Sequence, residues 1–221
     1  AAVKIIGSVY DDAAKLKRAK DQGFGEETFY HGTPQGADFT KFDYKYTGKG
    51  NDQYGAGFYL TDSTHQANSF AGVPRQGQSK QSNTVIPTYT KSANLLQVDG
   101  HKANKLGDIF KLDQAQTRQV LEKAKPLRRG LDDEEMNPFG DRYDSFWDEG
   151  SQDWMYDQLS MDQAGRDPHE LIDFFDGDTE SYLRALSEAT GYDGLNIRFG
   201  DGVTNQVHWK PENIRSVNAK F

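Results

Sequence analysis

His31 stands at the end of a short aromatic segment, Phe29-Tyr30-His31, and Gly32-Thr33 follow it directly. Further on lies a glycine-flanked tyrosine segment, Gly57-Phe58-Tyr59-Leu60-Thr61-Asp62. Phe70 comes eleven positions after Tyr59, within Ala67-Asn68-Ser69-Phe70-Ala71. Each residue type brings one physical capacity. An imidazole donates or accepts a hydrogen bond depending on its tautomer. Glycine lets another group approach its backbone closely. Two aromatic side chains offer flat faces for stacking. A packed core does not require this combination, whereas a pocket that holds a flat ring between two side chains does. Taken singly, each has a plainer reading. His31 alone would be a strand-end histidine, and Tyr59 and Phe70 would be core aromatics. The ordered set is what points to a pocket.

Elements must place these residues. The pattern predicts a helix over 11–20, stopped at Gln22-Gly23, and a strand over 28–31. The stretch 34–53 is polar and glycine-containing, with Phe39, Phe42, Tyr44 and Tyr46 interspersed, and reads as a loop folded over something. A strand over 57–60 and a helix over 62–71 follow, with Asp62 or Ser63 as the N-cap. The Gln/Ser/Gly-rich stretch 73–83 reads as a loop. Strands are expected over 85–90 and 95–98. The character then changes. Helices are expected over 113–125, 151–163, 169–175 and 179–190, the last stopped by Gly191, with an acidic stretch at 132–149. Strands return at 194–199, 207–209 and 216–221. This order predicts one α+β domain over 1–221 with a helical insertion at about 102–190.

Composition narrows the chemistry. The net charge of -8 argues against charge-driven binding of nucleic acid or an anionic membrane, and Lys123 to Arg129 are the candidate for a local basic patch. With no cysteine, disulfides, thiolate zinc sites and cysteine nucleophiles are excluded. No apolar run approaches the roughly 20 residues of a membrane span. The opening Ala1-Ala2-Val3-Lys4-Ile5-Ile6 is too short for a secretory signal, so a cytoplasmic location is expected, in the producing cell or in a target cell. His101, His169 and the carboxylates at 132–135 lack metal-ligand spacing. Asp176-Gly177-Asp178 begins like a calcium loop, but the remaining ligand positions do not follow. Phe146, Trp147 and Trp154 read as the insertion's own core.

The His31-Gly32-Thr33 turn, the Gly-Phe-Tyr-Leu-Thr-Asp strand and the Ala-x-x-Phe-Ala helix resemble the NAD-binding half of ADP-ribosyltransferases. The resemblance is to the His-Tyr-Glu class, typified by diphtheria toxin and the poly(ADP-ribose) polymerases. It is nearest in texture to transferase domains of polyvalent phage and mobile-element proteins, some of which act as toxins or effectors. It extends to Gln22-Gly23-Phe24, Ile86-Pro87-Thr88-Tyr89 with Asn94-Leu95, Gly191-Tyr192-Asp193-Gly194 and Pro211-Glu212-Asn213-Ile214-Arg215-Ser216.

The resemblance implies a split β-sheet core, NAD as substrate, and roles for named residues. His31 would bond a ribose hydroxyl of the adenosine half, and Thr33 would contact that ribose or support the turn. Gly32 would present its backbone to the nicotinamide amide. Tyr59 and Phe70 would sandwich the nicotinamide ring, phenylalanine standing where the family usually has a second tyrosine. Tyr54 is assigned to a lid contact with the ligand, with loop packing as its other reading. The reaction implied is substitution at the anomeric carbon of the nicotinamide ribose, through an oxocarbenium-like state. The acceptor would be a macromolecule, with a protein preferred over nucleic acid because the chain is acidic; water as acceptor would make a glycohydrolase. The family's third position is a glutamate at the start of a late strand. In Val203-Thr204-Asn205-Gln206-Val207-His208-Trp209 that place is assigned to Gln206, with Asn205 one step away. Glutamine keeps the shape and lacks the charge. An enzyme that works with glutamine, a weakened one, and a trapped substituted one all remain open.

Overall fold

Residues 24–33 pair along nearly their whole length, and this strand organises the sheet. In a computed structural model the described residues are 13–33, 41–47, 52–72, 84–91, 93–124 and 149–219. The expectations for 34–40, 48–51, 73–83 and 125–148 lie outside them. The described residues divide into two compact units. One comprises 1–51, 57–100 and 193–221, and the other 52–56 and 101–192.

The first unit holds helix α1 (13–21), β1 (Phe24–Thr33), β2 (Phe58–Thr61), α2 (Thr64–Ala71), β3 (Thr84–Lys91) and β4 (Leu95–Asp99). It continues with β5 (Gly194–Arg198), β6 (Thr204–His208) and β7 (Ile214–Ser216). The seven strands form one sheet in the order β4-β5-β6-β2-β1-β3-β7. β4 and β5 run parallel and the other pairs antiparallel, so the sheet is mixed. The predicted strand at 28–31 is longer because β3 pairs with it from Phe24↔Lys91 to Thr33↔Thr84, with an irregularity between Phe24 and Thr28. β6 starts earlier than 207, because Thr204 and Asn205 find partners in Arg198 and Ile197. β7 lies at 214–216 rather than 216–221, paired with β3 at Thr88↔Ser216.

One pairing is short. β1 meets β2 only at Tyr30↔Thr61, whereas β1 pairs with β3 at seven positions and β2 with β6 at four. The sheet therefore opens between β1 and β2 beyond this rung.

Side chains alternate between the two faces of a strand. Through the paired positions, one face carries Phe29, His31, Phe58, Leu60, Gln206 and His208. Phe29, Phe58 and Leu60 form a buried cluster there with Phe42 and Ile214, and Tyr44 packs against it. The opposite face carries Gly32, Tyr59, Thr61, Asn205 and Val207, and α2 packs against this side through buried Ala67 and Ala71. Ser63 caps α2, its hydroxyl accepting from Gln66 N at 3.2 Å.

The second unit is helical. It contains α3 (Leu106–Ile109), α4 (Gln114–Leu121), α5 (Glu149–Gln163), a 3-10 helix at Pro168–Phe175 and α6 (Thr179–Thr190). Val120, Leu121, Leu171, Phe175, Tyr182, Leu183 and Leu186 are buried within it. Asp113 and Gln116 form a reciprocal cap at the start of α4. Asp178 caps α6 by accepting from Ser181 N at 3.1 Å, which accounts for the Asp-Gly-Asp run. Gly191 ends α6 at φ 74°. No helix among the described residues is long and apolar enough to cross a membrane.

Candidate active site

The opening between β1 and β2 leaves strand groups for side chains to satisfy. His31 Nδ1 lies 2.9 Å from the backbone oxygen of Tyr59. A carbonyl only accepts, so Nδ1 carries the proton in this bond, and a neutral ring then has its lone pair at Nε2. Phe42 holds the ring from the side, edge-on at 5.3 Å between centroids. Phe42 in turn meets Phe58 edge-on at 5.7 Å, and the Tyr44 hydroxyl donates to the Trp209 carbonyl at 3.1 Å. The aromatic loop before β2 thus orients the histidine from the apolar face. Phe42 is the supporting residue that motif reading left unassigned; its run of interspersed aromatics was the available signal.

Gly32 lies under α2. A Cβ there would overlap the Ala67 carbonyl oxygen and approach Ala71 N to 2.9 Å. The close approach that requires glycine is thus supplied by the helix backbone. Thr33, next along, is 4% exposed.

Gln66 and Phe70 are four positions apart and lie on one flank of α2. Gln66 reaches β2, its Oε1 accepting from Thr61 Oγ1 at 2.8 Å. That bond puts the flank bearing Phe70 on the side of β2, where Tyr59 and Thr61 share a face. Phe70 is 46% exposed, against complete burial of its neighbour Ala71. An aromatic ring left open beside a helix–sheet junction suits a ligand wall better than a core position. Tyr54 is elsewhere: it belongs to the second unit, is 3% exposed, and its hydroxyl donates to the Ala103 carbonyl at 3.3 Å. That burial favours the loop-packing reading of Tyr54.

The register of β6 divides the residues assigned by motif between the two faces, with His31 and Gln206 on one and Gly32 and Tyr59 on the other. Gln206 pairs with Leu60 and projects to the face of Phe29 and Leu60, away from Tyr59 and Gly32. Its amide is engaged there with Asn196 and His208. Asn205 pairs with Thr61 and so projects to the face of Tyr59, Thr61 and Gly32. Asn205 is 8% exposed, and its Oδ1 is buried with no hydrogen-bond partner among the described residues. A buried carbonyl oxygen without a donor is costly unless something else supplies one. The one-residue offset matters because adjacent strand residues face opposite sides. The register of β2 against β6, which the motif does not contain, separates the two.

His208 is fully buried beside Gln206. Burial pushes its pKa down from 6.5 to about 4, partly offset by Asp193. A depressed folded value makes the unfolded chain bind the extra proton first. The stabilisation is complete above pH 6.5 and is lost as pH falls toward 4. Chemical denaturation should lose about 3 kcal/mol across that window. His208→Gln should flatten the profile there.

The family model for ADP-ribosyltransferases in polyvalent proteins matches residues 25–220. The chain belongs to this family. No curated protein and no solved structure matches it. The family's reaction is NAD-dependent ADP-ribosyl transfer, and the α+β architecture with a seven-stranded mixed sheet agrees with an ADP-ribosyltransferase-like fold. In this family member Gly32, Tyr59 and Asn205 share one face, with Phe70 on the adjoining helix flank, while His31 and Gln206 lie on the other face. The first of these faces carries the exposed Phe70 ring beside it and the buried Asn205 amide oxygen, which has no partner among the described residues. The opposite face carries a separate open polar cleft of about 850 Å³, lined in part by Gln97, Asn196, Arg198 and Gln206.

Proposed function

We propose that this chain is an NAD-dependent mono-ADP-ribosyltransferase that modifies a macromolecular acceptor, a protein, and releases nicotinamide. The observation that carries the reading is the His31 Nδ1 bond to the Tyr59 carbonyl across the open rung of the sheet. It ties the histidine to the strand whose tyrosine lies on the α2 side, next to Gly32 and Asn205.

In this reading Tyr59 and Phe70 flank the nicotinamide ring, and the Gly32 backbone meets its carboxamide. Across the opening between β1 and β2, His31 Nε2 accepts from a hydroxyl of the adenosine-side ribose, with Thr33 supporting the turn. Asn205 replaces Gln206 as the residue beside the nicotinamide ribose. Its amide ends are nearly isosteric, so rotation of the side chain turns the oxygen toward a ribose hydroxyl. The bond from the anomeric carbon to the nicotinamide nitrogen breaks, and nicotinamide leaves as a neutral molecule. The acceptor's nucleophilic atom forms the new bond to that carbon and gives up its proton to solvent. The protein contributes positioning and a polar surface for the developing cation. The net charge of -8 supports a protein acceptor over a polyanionic one.

A second reading has its own observation. Asn205 and Gln206 are both neutral amides, so a chain that binds NAD and turns it over very slowly is the alternative.

Incubation with NAD labelled in its ADP-ribose half and a cell lysate tests both. The expected result is label on a protein band, reduced at least about 100-fold in His31→Ala. Free ADP-ribose with no labelled acceptor would make the chain a glycohydrolase. NAD binding by calorimetry with no nicotinamide released would favour the silent reading.

A further inference from the structure

Gln206 lies in a row of amides that crosses three strands on the face away from α2. Gln206, Asn196 and Gln97 occupy matched positions on β6, β5 and β4. Gln97 Nε2 donates to the Leu95 carbonyl at 3.1 Å, and its Oε1 accepts from Asn196 Nδ2 at 2.8 Å. Asn196 Oδ1 accepts from Gln206 Nε2 at 3.2 Å. Gln206 Oε1 faces His208 Nε2 at 2.9 Å.

The ends of this chain fix its direction. The Leu95 carbonyl can only accept, so the Gln97 nitrogen must point at it. Each amide oxygen is then turned to its neighbour's nitrogen, and the last oxygen requires a proton on His208 Nε2. No amide can flip alone without setting two oxygens against each other, and flipping all three together does so at the Leu95 carbonyl. His208 is fully buried, so its Nε2–H has no ready replacement for a lost bond to Gln206. The chain therefore pins β6 to β5 and β4 at the rung next to Asn205.

Asn205 has no such anchor among the described residues, where its Oδ1 is buried without a partner. Its placement depends on the backbone of β6, which the next residue holds from behind. We propose that Gln206 is a positioning residue that sets the height and pleat of β6 so that Asn205 projects correctly on the opposite face. The inference rests on the reading of Asn205 as the residue beside the nicotinamide ribose. It gives Gln206 a role in the reaction without contact with NAD.

The test is Gln206→Leu in the full chain, read by nicotinamide release and by ¹⁵N spectra of His208 and of the Asn205 side-chain amide. The expected result is a kcat lowered about tenfold with KM for NAD changed less than about twofold. His208 should lose its single Nε2–H tautomer signature, and the Asn205 amide resonance should broaden or double. A rise in KM at unchanged kcat would mean that Gln206 touches NAD directly, and would overturn the inference. So would an Asn205 amide resonance identical to wild type. The Asn205 spectrum is decisive even if the wild type releases no nicotinamide, an outcome that instead defeats the proposed activity. If Gln206→Leu does not fold, Gln97→Leu, at the exposed end of the chain, is read in the same way.

Discussion

Gly32→Ala is expected to lower the melting temperature by roughly 10 °C or more and to abolish NAD binding. The added methyl would occupy the space of the Ala67 carbonyl oxygen and crowd Ala71 N, both backbone atoms of α2. Neither can turn aside as a side chain can. The helix must lift from β1, exposing Ala67 and Ala71 and breaking the bond from Thr61 to Gln66. Overpacking of this kind costs about 1–3 kcal/mol in a core that can adjust, and more where backbone is struck. Phe70 moves with α2, so in the proposed reading binding fails along with stability. Gly25→Ala is the control. A Cβ there meets only the Thr90 carbonyl oxygen, at 3.5 Å, an ordinary contact. Calorimetric melting of both variants checks the contrast.

Asn205→Glu is expected to raise nicotinamide release about 100-fold. A carboxylate beside a developing oxocarbenium ion stabilises it electrostatically, where an amide supplies only a dipole. At the effective dielectric of a partly enclosed site this difference is about 3 kcal/mol, and each 1.4 kcal/mol is about a factor of ten in rate. The gain comes at a cost in the free protein. Asn205 is 8% exposed, so the new charge is partly desolvated and the melting temperature should fall slightly. Asn205→Asp, the isosteric change, should fall between wild type and Asn205→Glu because its charge sits farther from the ribose. Rates measured at saturating NAD check the ranking.

Much of this architecture was legible in the residues. Turn signals at Gly23, Gly191 and Asp113 bounded helices within a few positions, because caps are local chemistry. His31, Gly32, Tyr59 and Phe70 stood out because aromatic, imidazole and glycine side chains recur in that order within forty residues. The residue proposed to lie beside the nicotinamide ribose was not legible in the same way. Asn205 and Gln206 are adjacent amides of similar chemistry, and only the Thr61↔Asn205 pairing separates them. Register is a property of two strands, and these lie far apart in sequence. The purpose of Gly32 was hidden for a related reason. Its glycine requirement comes from Ala67, more than thirty residues later, rather than from any local turn. A tyrosine beside two glycines reads alike whether it covers a ligand or packs, and the buried Tyr54 hydroxyl on the Ala103 carbonyl favours packing.

Nicotinamide release by wild type, Asn205→Glu and Gln206→Glu, compared in one assay, tests the central claim most directly. That claim is that NAD reacts on the sheet face shared by Gly32, Tyr59 and Asn205. It predicts a large gain for Asn205→Glu and a rate at or below wild type for Gln206→Glu, whose carboxylate would face the Asn196 oxygen on the other side of the sheet. A gain for Gln206→Glu with none for Asn205→Glu would place the reaction on the opposite face and contradict the account.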